Sequence, residues 1–443
     1  MSKYKFHAVF IASVVLCFCL QNVRSNAQTP LPLPKSYQFI NGQWFDGKGF
    51  RRQTFYSAGG FLTRKKPARV DEVVDLKNGY VVPPFADAHC HHFYNPGNVS
   101  QQVEMYLRDG VFYAKVQADV RSTALQVADK VNRPTSVDVS YSHGALTPNY
   151  GHGIQIYEGL ALYNRHWDLT AEERKKVRES RLRENNAYYI IDTAEDIERK
   201  WSLILEGKPD FIKIYLVTSE EYDERKKRTE TVGDRGLDPR LVPQIVDKAH
   251  AAGLRVSAHV DTVTDYRIAL KAGVDEMAHL PGYYIGLQDD PQKYELTEED
   301  VKETARREIW VDIAPVAIEI YNPQDPLLKA QTRERIDAVK IRNLKLLKQF
   351  NARIAFGSDW FGRTPVGDVL YIQKLGVFSN LEILKIWSED TPRSIFPNRK
   401  IGLLKAGYEA NFIVLDGNPL VDFEQIKNIR LRFKQGYFLN APN

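Results

Sequence analysis

Pro83-Pro-Phe-Ala-Asp-Ala-His-Cys-His-His92 closes an apolar run that starts at Tyr80 and sets Asp87, His89 and His91 at every second position. Side chains alternate along a strand, so these three share one face while Cys90 and His92 take the other. Asp87 is thereby placed to hold an imidazole through its second nitrogen, and Cys90 to pack as a thiol pointing away from both histidines. A lone histidine is usually a satisfied polar residue. Two in register at the end of a buried strand are hard to explain as packing, and they point to a metal site.

Working outward, short apolar runs alternate with longer helical stretches. The candidate strands are Tyr80–His89, Val111–Val116, Val137–Tyr141, Phe211–Leu216, Arg255–Ala258, Glu276–His279, Ile309–Ile313 and Arg353–Phe356. Asp238–Ala252 and Thr332–Phe350 have helical periodicity and fall before the fifth and eighth. The pattern predicts an α/β fold, a (β/α)8 TIM-like barrel over residues 81–400, whose chemistry sits at the strand C-termini. Residues 28–80, with strand-like Tyr37–Trp44 and Val70–Leu76, and residues 401–443, with Asn411–Asp416 and Ile429–Phe433, read as two parts of one small β-sandwich domain built from both chain ends. The segment 145–200 is too long for a bare connector and is expected to overhang the barrel mouth as a lid. It carries Tyr150, His152, Tyr157 and a highly charged stretch at Glu172–Glu184, best read as a solvated helix face.

Partners for the histidine pair stand at other strand ends. His259 closes Leu254–His259, His279 closes Val274–His279, and Asp359 closes Ile354–Asp359. Imidazole and carboxylate ligands suit Zn, Mn or Fe. Lys213 sits inside the apolar strand Pro209–Leu216, where a free ammonium is costly. Desolvation favours its neutral amine, which can react with carbon dioxide to give a carbamate able to bridge two metals about 3.5–4 Å apart. The competing reading is a lysine salt-bridged in the barrel interior. His250, within a helix, has no such position and reads as structural.

Taken together, Pro83…Asp87-Ala-His-Cys-His91, Asp210-Phe-Ile-Lys213, Ala258-His259, Ala278-His279, Gly357-Ser-Asp359 and the tail Gly402–Gly407 with Ala410–Asp416 and Asn418-Pro419 resemble the amidohydrolase superfamily. Within it, the chain is most similar to the imidazolonepropionase-like and Xaa-Pro-dipeptidase-like members. That resemblance implies that His89, His91 and Asp359 hold one divalent metal and His259 and His279 a second, with Lys213 bridging as a carboxylated lysine. It also implies that His152, in Gly151-His152-Gly153, contacts substrate. Ala278 and Asn411 stand where the family often has glutamate and aspartate. The implied chemistry is attack by a metal-activated hydroxide on a small amide, cyclic amide or dipeptide-like bond, with Asp359 moving the proton. The alternatives are a lactone, ester or phosphotriester hydrolase, or a catalytically silent metal-binding barrel. Tyr150, Tyr157, Tyr283, Tyr284, Trp360 and Phe361 suggest an amphipathic small-molecule substrate, and Arg363 is placed to receive a carboxylate.

The chain of 443 residues is long enough for such a fold, and 43% hydrophobic and 26% charged residues mark an ordinary globular protein. Lys3 and Lys5, the apolar Ala8–Leu20 and the small-x-small pattern Ser25-Asn-Ala27 read as a signal peptide over residues 1–27, and hence as export to the periplasm or beyond. The apolar run is short for a membrane span; a retained anchor is the other reading. Removing the segment takes Lys3, Lys5 and Arg24 from a net charge of +5 and leaves no dense basic stripe, which argues against nucleic-acid binding. It also leaves Cys90 alone, so stability must come from the core rather than disulfides.

Overall fold

Pro83 and Pro84 divide the first expected strand in two, because neither can donate to a ladder. Tyr80–Val82 joins one sheet and Phe85–Cys90 opens another. The structure, a computed structural model, describes residues 32–282, 285, 288–314 and 326–439; residues 1–31, which include the expected signal peptide, lie outside these, as do Tyr283 and Tyr284.

The strands in chain order begin with β1 (Tyr37–Phe45), β2 (Phe50–Ala58), β3 (Phe61–Thr63), β4 (Glu72–Asp75) and β5 (Tyr80–Val82). There follow β6 (Phe85–Cys90), β7 (Val111–Val116), β8 (Asp138–Tyr141), β9 (Ala145–Thr147) and β10 (Tyr188–Ile190). Then come β11 (Phe211–Leu216), β12 (Arg255–Val260), β13 (Glu276–Met277), β14 (Trp310–Asp312) and β15 (Arg353–Ala355). The last three are β16 (Phe412–Leu415), β17 (Ile429–Lys434) and β18 (Tyr437–Phe438).

Strands from both chain ends share one eight-stranded mixed sheet, ordered β18-β17-β16-β5-β1-β2-β3 with β4 on β1. The parallel strand β5 lies between β1 and the antiparallel β16. Aromatic contacts seal this union: Phe39 meets Phe412 and Phe433 at 4.9 and 5.0 Å between ring centroids, and Trp44 meets Phe412 at 5.2 Å. Such pairs add to the large apolar area they bury.

The remaining strands form two parallel sheets, β6-β7-β8 and β10-β9-β11-β12-β13-β14-β15. Their edges are tied by backbone hydrogen bonds. Ala88 N–H donates to Phe356 O at 2.8 Å on one side, and Asp210 N–H to Tyr141 O at 2.8 Å on the other. Strands β6, β7 and β11 are buried along their whole length, as expected of parallel strands covered on both faces. Trp387 stacks flat on Phe85 at 3.7 Å and donates its indole N–H to Ala86 O, fixing β6 against the chain's last helices.

Two strands of the parallel sheets have no counterpart among the expected barrel strands. β9 and β10, three residues each, add to the edge of the longer sheet, so part of the 145–200 segment belongs to the sheet itself. Runs that short show no periodicity to read. Between them lie helices Ile154–Tyr163 and Ala171–Glu179. Helix starts are sharply set: capping boxes open the helices at Thr170, Thr193, Thr262, Thr297 and Ser379. The Thr262 box also binds two strands together, since its Asp265 carboxylate accepts from Thr218 and Ser219 N–H beyond the end of β11. No helix among the described residues is long and apolar enough to cross a membrane.

Candidate metal centre

At the end of β6 the two histidines converge on Asp359. His89 Nε2 and His91 Nε2 each lie 3.1 Å from Asp359 Oδ1, and the three residues could hold a metal ion. The turn that delivers Asp359 folds onto β6: Ser358 and Asp359 N–H both donate to His89 O, at 3.0 and 2.6 Å. Asp359 adopts φ +50°, a left-handed conformation unfavourable to a residue with a Cβ and typical of strain held at functional sites. Gly357 is required for a different reason. A Cβ there would lie 2.4 Å from Asp312 Oδ2 and 2.5 Å from the His89 Cβ.

Electrostatics join these groups. Burial alone would lower the His89 pKa, but the Asp359 and Asp312 carboxylates overcome it and raise it to about 9. Burial would raise Asp359, yet His89 and His91 hold it well below the usual carboxylate range. Burial lowers the His91 pKa, with Asp359 opposing.

Beside it, β12 delivers His259 and β13 leads into His279, whose Nε2 is 2.7 Å from His259 Nδ1. Both imidazoles are driven toward the neutral, ligand-competent form by desolvation. The His89 and His279 rings lie 6.0 Å apart, so the two groups form one constellation. Lys213 comes from the middle of β11. It is 1% exposed, and its Nζ has no hydrogen-bond partner among the described residues. Desolvation lowers its pKa to about 7, with Asp359 and Glu276 opposing. The expected alternative, a lysine salt-bridged in the interior, describes its neighbour instead: Lys115 Nζ lies 2.5 Å from Glu276 Oε2, both groups buried. The imidazoles and carboxylate of His89, His91 and Asp359 fit a divalent metal ion.

His152 packs against His259 at 4.4 Å and Tyr215 at 4.8 Å, within the same cluster. Phe361 stacks on His91 at 4.8 Å, and Trp360 bridges to Cys90. Tyr157 is buried, whereas Tyr150 lies near the guanidinium groups of Arg181 and Arg235. Two expectations are corrected. Asp87 does not hold an imidazole: its oxygens accept from His89 and Ser358 N–H and from the Tyr106 and Ser358 hydroxyls. The group that orients His89 is Ala278 O, 2.6 Å from Nδ1, a backbone atom no side-chain pattern reveals. Arg363 is engaged by Asp368 at 2.9 Å, so it is not a free carboxylate receptor.

Asp312 was missed. It ends β14 with Oδ2 3.4 Å from His89 Nδ1, and burial raises its pKa to about 7. The signal was present, since a charged residue closing an apolar strand is the same pattern that marked His259 and Asp359.

Comparison with known proteins places this geometry in context. Residues 221–436 match the model of the amidohydrolase family, a span holding His259, His279 and Asp359. An ochratoxinase of Aspergillus niger is 26% identical over 215 residues, which cover 46% of this chain and 42% of that protein. The match thus spans less than half the length of the curated relative. Likeness of fold extends further. The crystal structure of A. niger ochratoxinase superposes with a TM-score of 0.70 at 19% identity, covering 93% of this chain and 97% of that one. A Xaa-Pro dipeptidase with bound methionine gives 0.66 at 15% identity, over 92% and 100%. Molinate hydrolase gives 0.68 at 13% identity, over 93% and 96%.

Proposed function

We propose that this chain, which belongs to the amidohydrolase superfamily, is a metal-dependent hydrolase of carbon–nitrogen bonds in small amides, cyclic amides or dipeptide-like compounds. The observation that carries the proposal is the meeting of His89, His91 and Asp359 on one carboxylate oxygen, with His259 and His279 beside them and Lys213 buried with no hydrogen-bond partner among the described residues.

In this reading His89, His91 and Asp359 would hold one ion and His259 and His279 the other, with Lys213, as its carbamate, available to both. When bound, two divalent ions, zinc with manganese or iron as alternatives, supply Lewis acidity to water and to the substrate carbonyl. Asp359 takes the proton of the attacking water and returns it to the leaving nitrogen. His152, kept neutral by burial, donates to the carbonyl oxygen. The Ala278 carbonyl and Asp312 hold the His89 ring in place while charge moves.

The architecture proposed for this chemistry is a (β/α)8 barrel over 81–400 with a small β domain from 28–80 and 401–443. The names of structural neighbours support the substrate class, since they include an ochratoxinase, a dipeptidase and molinate hydrolase. Export with residues 1–27 removed is part of the same proposal and rests on the leader alone. The test is metal analysis of the purified protein together with turnover of N-acyl amino acids, dipeptides, cyclic amides, esters and lactones. Two equivalents of metal and turnover of the amides are expected. A metal-free protein inert toward every amide would end the proposal.

A further inference from the structure

In three of the four imidazoles of the metal centre, Nδ1 faces a backbone carbonyl. His89 meets that of Ala278 at 2.6 Å, His91 that of Ala118 at 3.3 Å and His279 that of Leu280 at 3.4 Å. A carbonyl only accepts, so each keeps the ring hydrogen on Nδ1 and leaves Nε2 bare. His259 is turned the other way. Its Nε2 lies 2.9 Å from Asp261 Oδ1, and its Nδ1 faces His279 Nε2 at 2.7 Å. An ionised carboxylate also only accepts, which places the His259 hydrogen on Nε2 and bares Nδ1. Two bare nitrogens then confront each other with no hydrogen to share, and a cation held by both relieves their repulsion.

The local fold fixes Asp261 for this task. It follows β12 directly, two residues after His259 and just before the Thr262 capping box. Asp265 of that box accepts from Asp261 N–H at 3.0 Å, and Asp261 O accepts from Gly282 N–H at 3.2 Å. With its backbone pinned on both sides, the residue has its carboxylate free to reach back to the imidazole. The ring is itself held by neighbours: His152 stacks on it at 4.4 Å, and His279 meets it edge-on at 4.4 Å. In a ring so packed, the place of the hydrogen decides which nitrogen is offered. Charge gives Asp261 a second part. His89 and His91 share the Asp359 carboxylate, whereas the carboxylate that reaches the other pair is Asp261, through His259. A carboxylate behind an imidazole makes the opposite nitrogen a stronger ligand.

We infer that Asp261 is a positioning residue for the second ion: it keeps the hydrogen on His259 Nε2, offers Nδ1 to the ion shared with His279, and lends that pair negative charge through the ring. The inference rests on the two-ion reading of the proposed function for the ion, and on the His259–Asp261 contact alone for the hydrogen.

The experiment has two readouts, neither of them turnover. Wild type, Asp261→Asn and Asp261→Ala are loaded with zinc, exposed to graded chelator and analysed for bound metal. The His259 ring nitrogens of the metal-free proteins are read by nitrogen NMR, with His259→Gln to assign the signals. Wild type should hold two equivalents and show the Nε2–H tautomer. Asp261→Asn, whose amide oxygen still accepts, should keep the tautomer but release one equivalent at about 10- to 100-fold lower chelator concentration, the usual cost of losing an outer partner. Asp261→Ala should lose the tautomer as well, while the equivalent on His89, His91 and Asp359 leaves as in wild type. Chelator curves unchanged in both variants, loss of both equivalents together, or a tautomer that survives Asp261→Ala would overturn the inference. A wild type holding a single equivalent would count against the two-ion reading itself. The tautomer would then decide on Asp261 alone, and Nδ1–H at wild-type His259 would rule it out.

Discussion

Asp359 meets two demands at once. It holds a strained left-handed backbone, and its carboxylate is shared between His89 and His91 at 3.1 Å each. A residue that served only as a metal ligand would tolerate an amide in its place better than one that also moves a proton. Asp359→Asn is therefore expected to lower kcat by about 10²- to 10⁴-fold, the usual worth of a general acid–base, while most of the metal stays on His89, His91, His259, His279 and Lys213. Paired kinetics and metal analysis check this; unchanged turnover would refute the assigned role. At this scale much was legible. Residues that end apolar strands with ligand chemistry stood out, because metal-binding side chains are few and their positions periodic. Asp87 was misjudged because alternation tells which side chains share a face, not which atom lies within hydrogen-bond reach.

Elements show where buried charge is tolerated. The helix Pro326–Gln349 carries Lys340 into the interior, 4% exposed, with no hydrogen bond to its Nζ among the described residues. Burial lowers its pKa to about 8, with Asp337 and Asp368 opposing. The unfolded value near 10.5 is higher, so the charged form is the one that folding disfavours. The favourable contribution is complete only above that unfolded value and is lost as pH falls through about 8. Lys340→Met should thus raise stability at pH 7 by roughly 1–3 kcal/mol, and the gain should shrink toward pH 10. Thermal melts of both proteins across that range test it; a constant difference would contradict the sign. The sequence shows the helix but not this cost, since its apolar face does not identify which lysine the neighbouring elements enclose.

For the whole molecule, the candidate ligands come from β6, β11 and β12 and from the ends of β13 and β15. Ions held there tie together both parallel sheets, whose edges otherwise meet through backbone hydrogen bonds and packing. Whatever binds only the folded state stabilises it, by about 3–4 kcal/mol when present at 100 to 1,000 times its dissociation constant. Chelation should lower Tm by several degrees, and zinc or manganese should restore it. Calorimetry with and without chelator measures this, and an unmoved transition would argue against ions linking the sheets.

What the sequence determined by itself is the alternation of strands and helices, the candidate ligands at strand ends and the oddity of Lys213, because each follows from local periodicity and the cost of burying charge. The tertiary structure alone decided the rest. It placed Ala278 O and Asp312 on His89, left Lys213 Nζ without a hydrogen bond among the described residues while giving Glu276 to Lys115, and engaged Arg363 with Asp368. Such partners are far apart along the chain, and hydrogen-bond pairing is settled by distances of a few tenths of an ångström. No residue pattern encodes distances that fine.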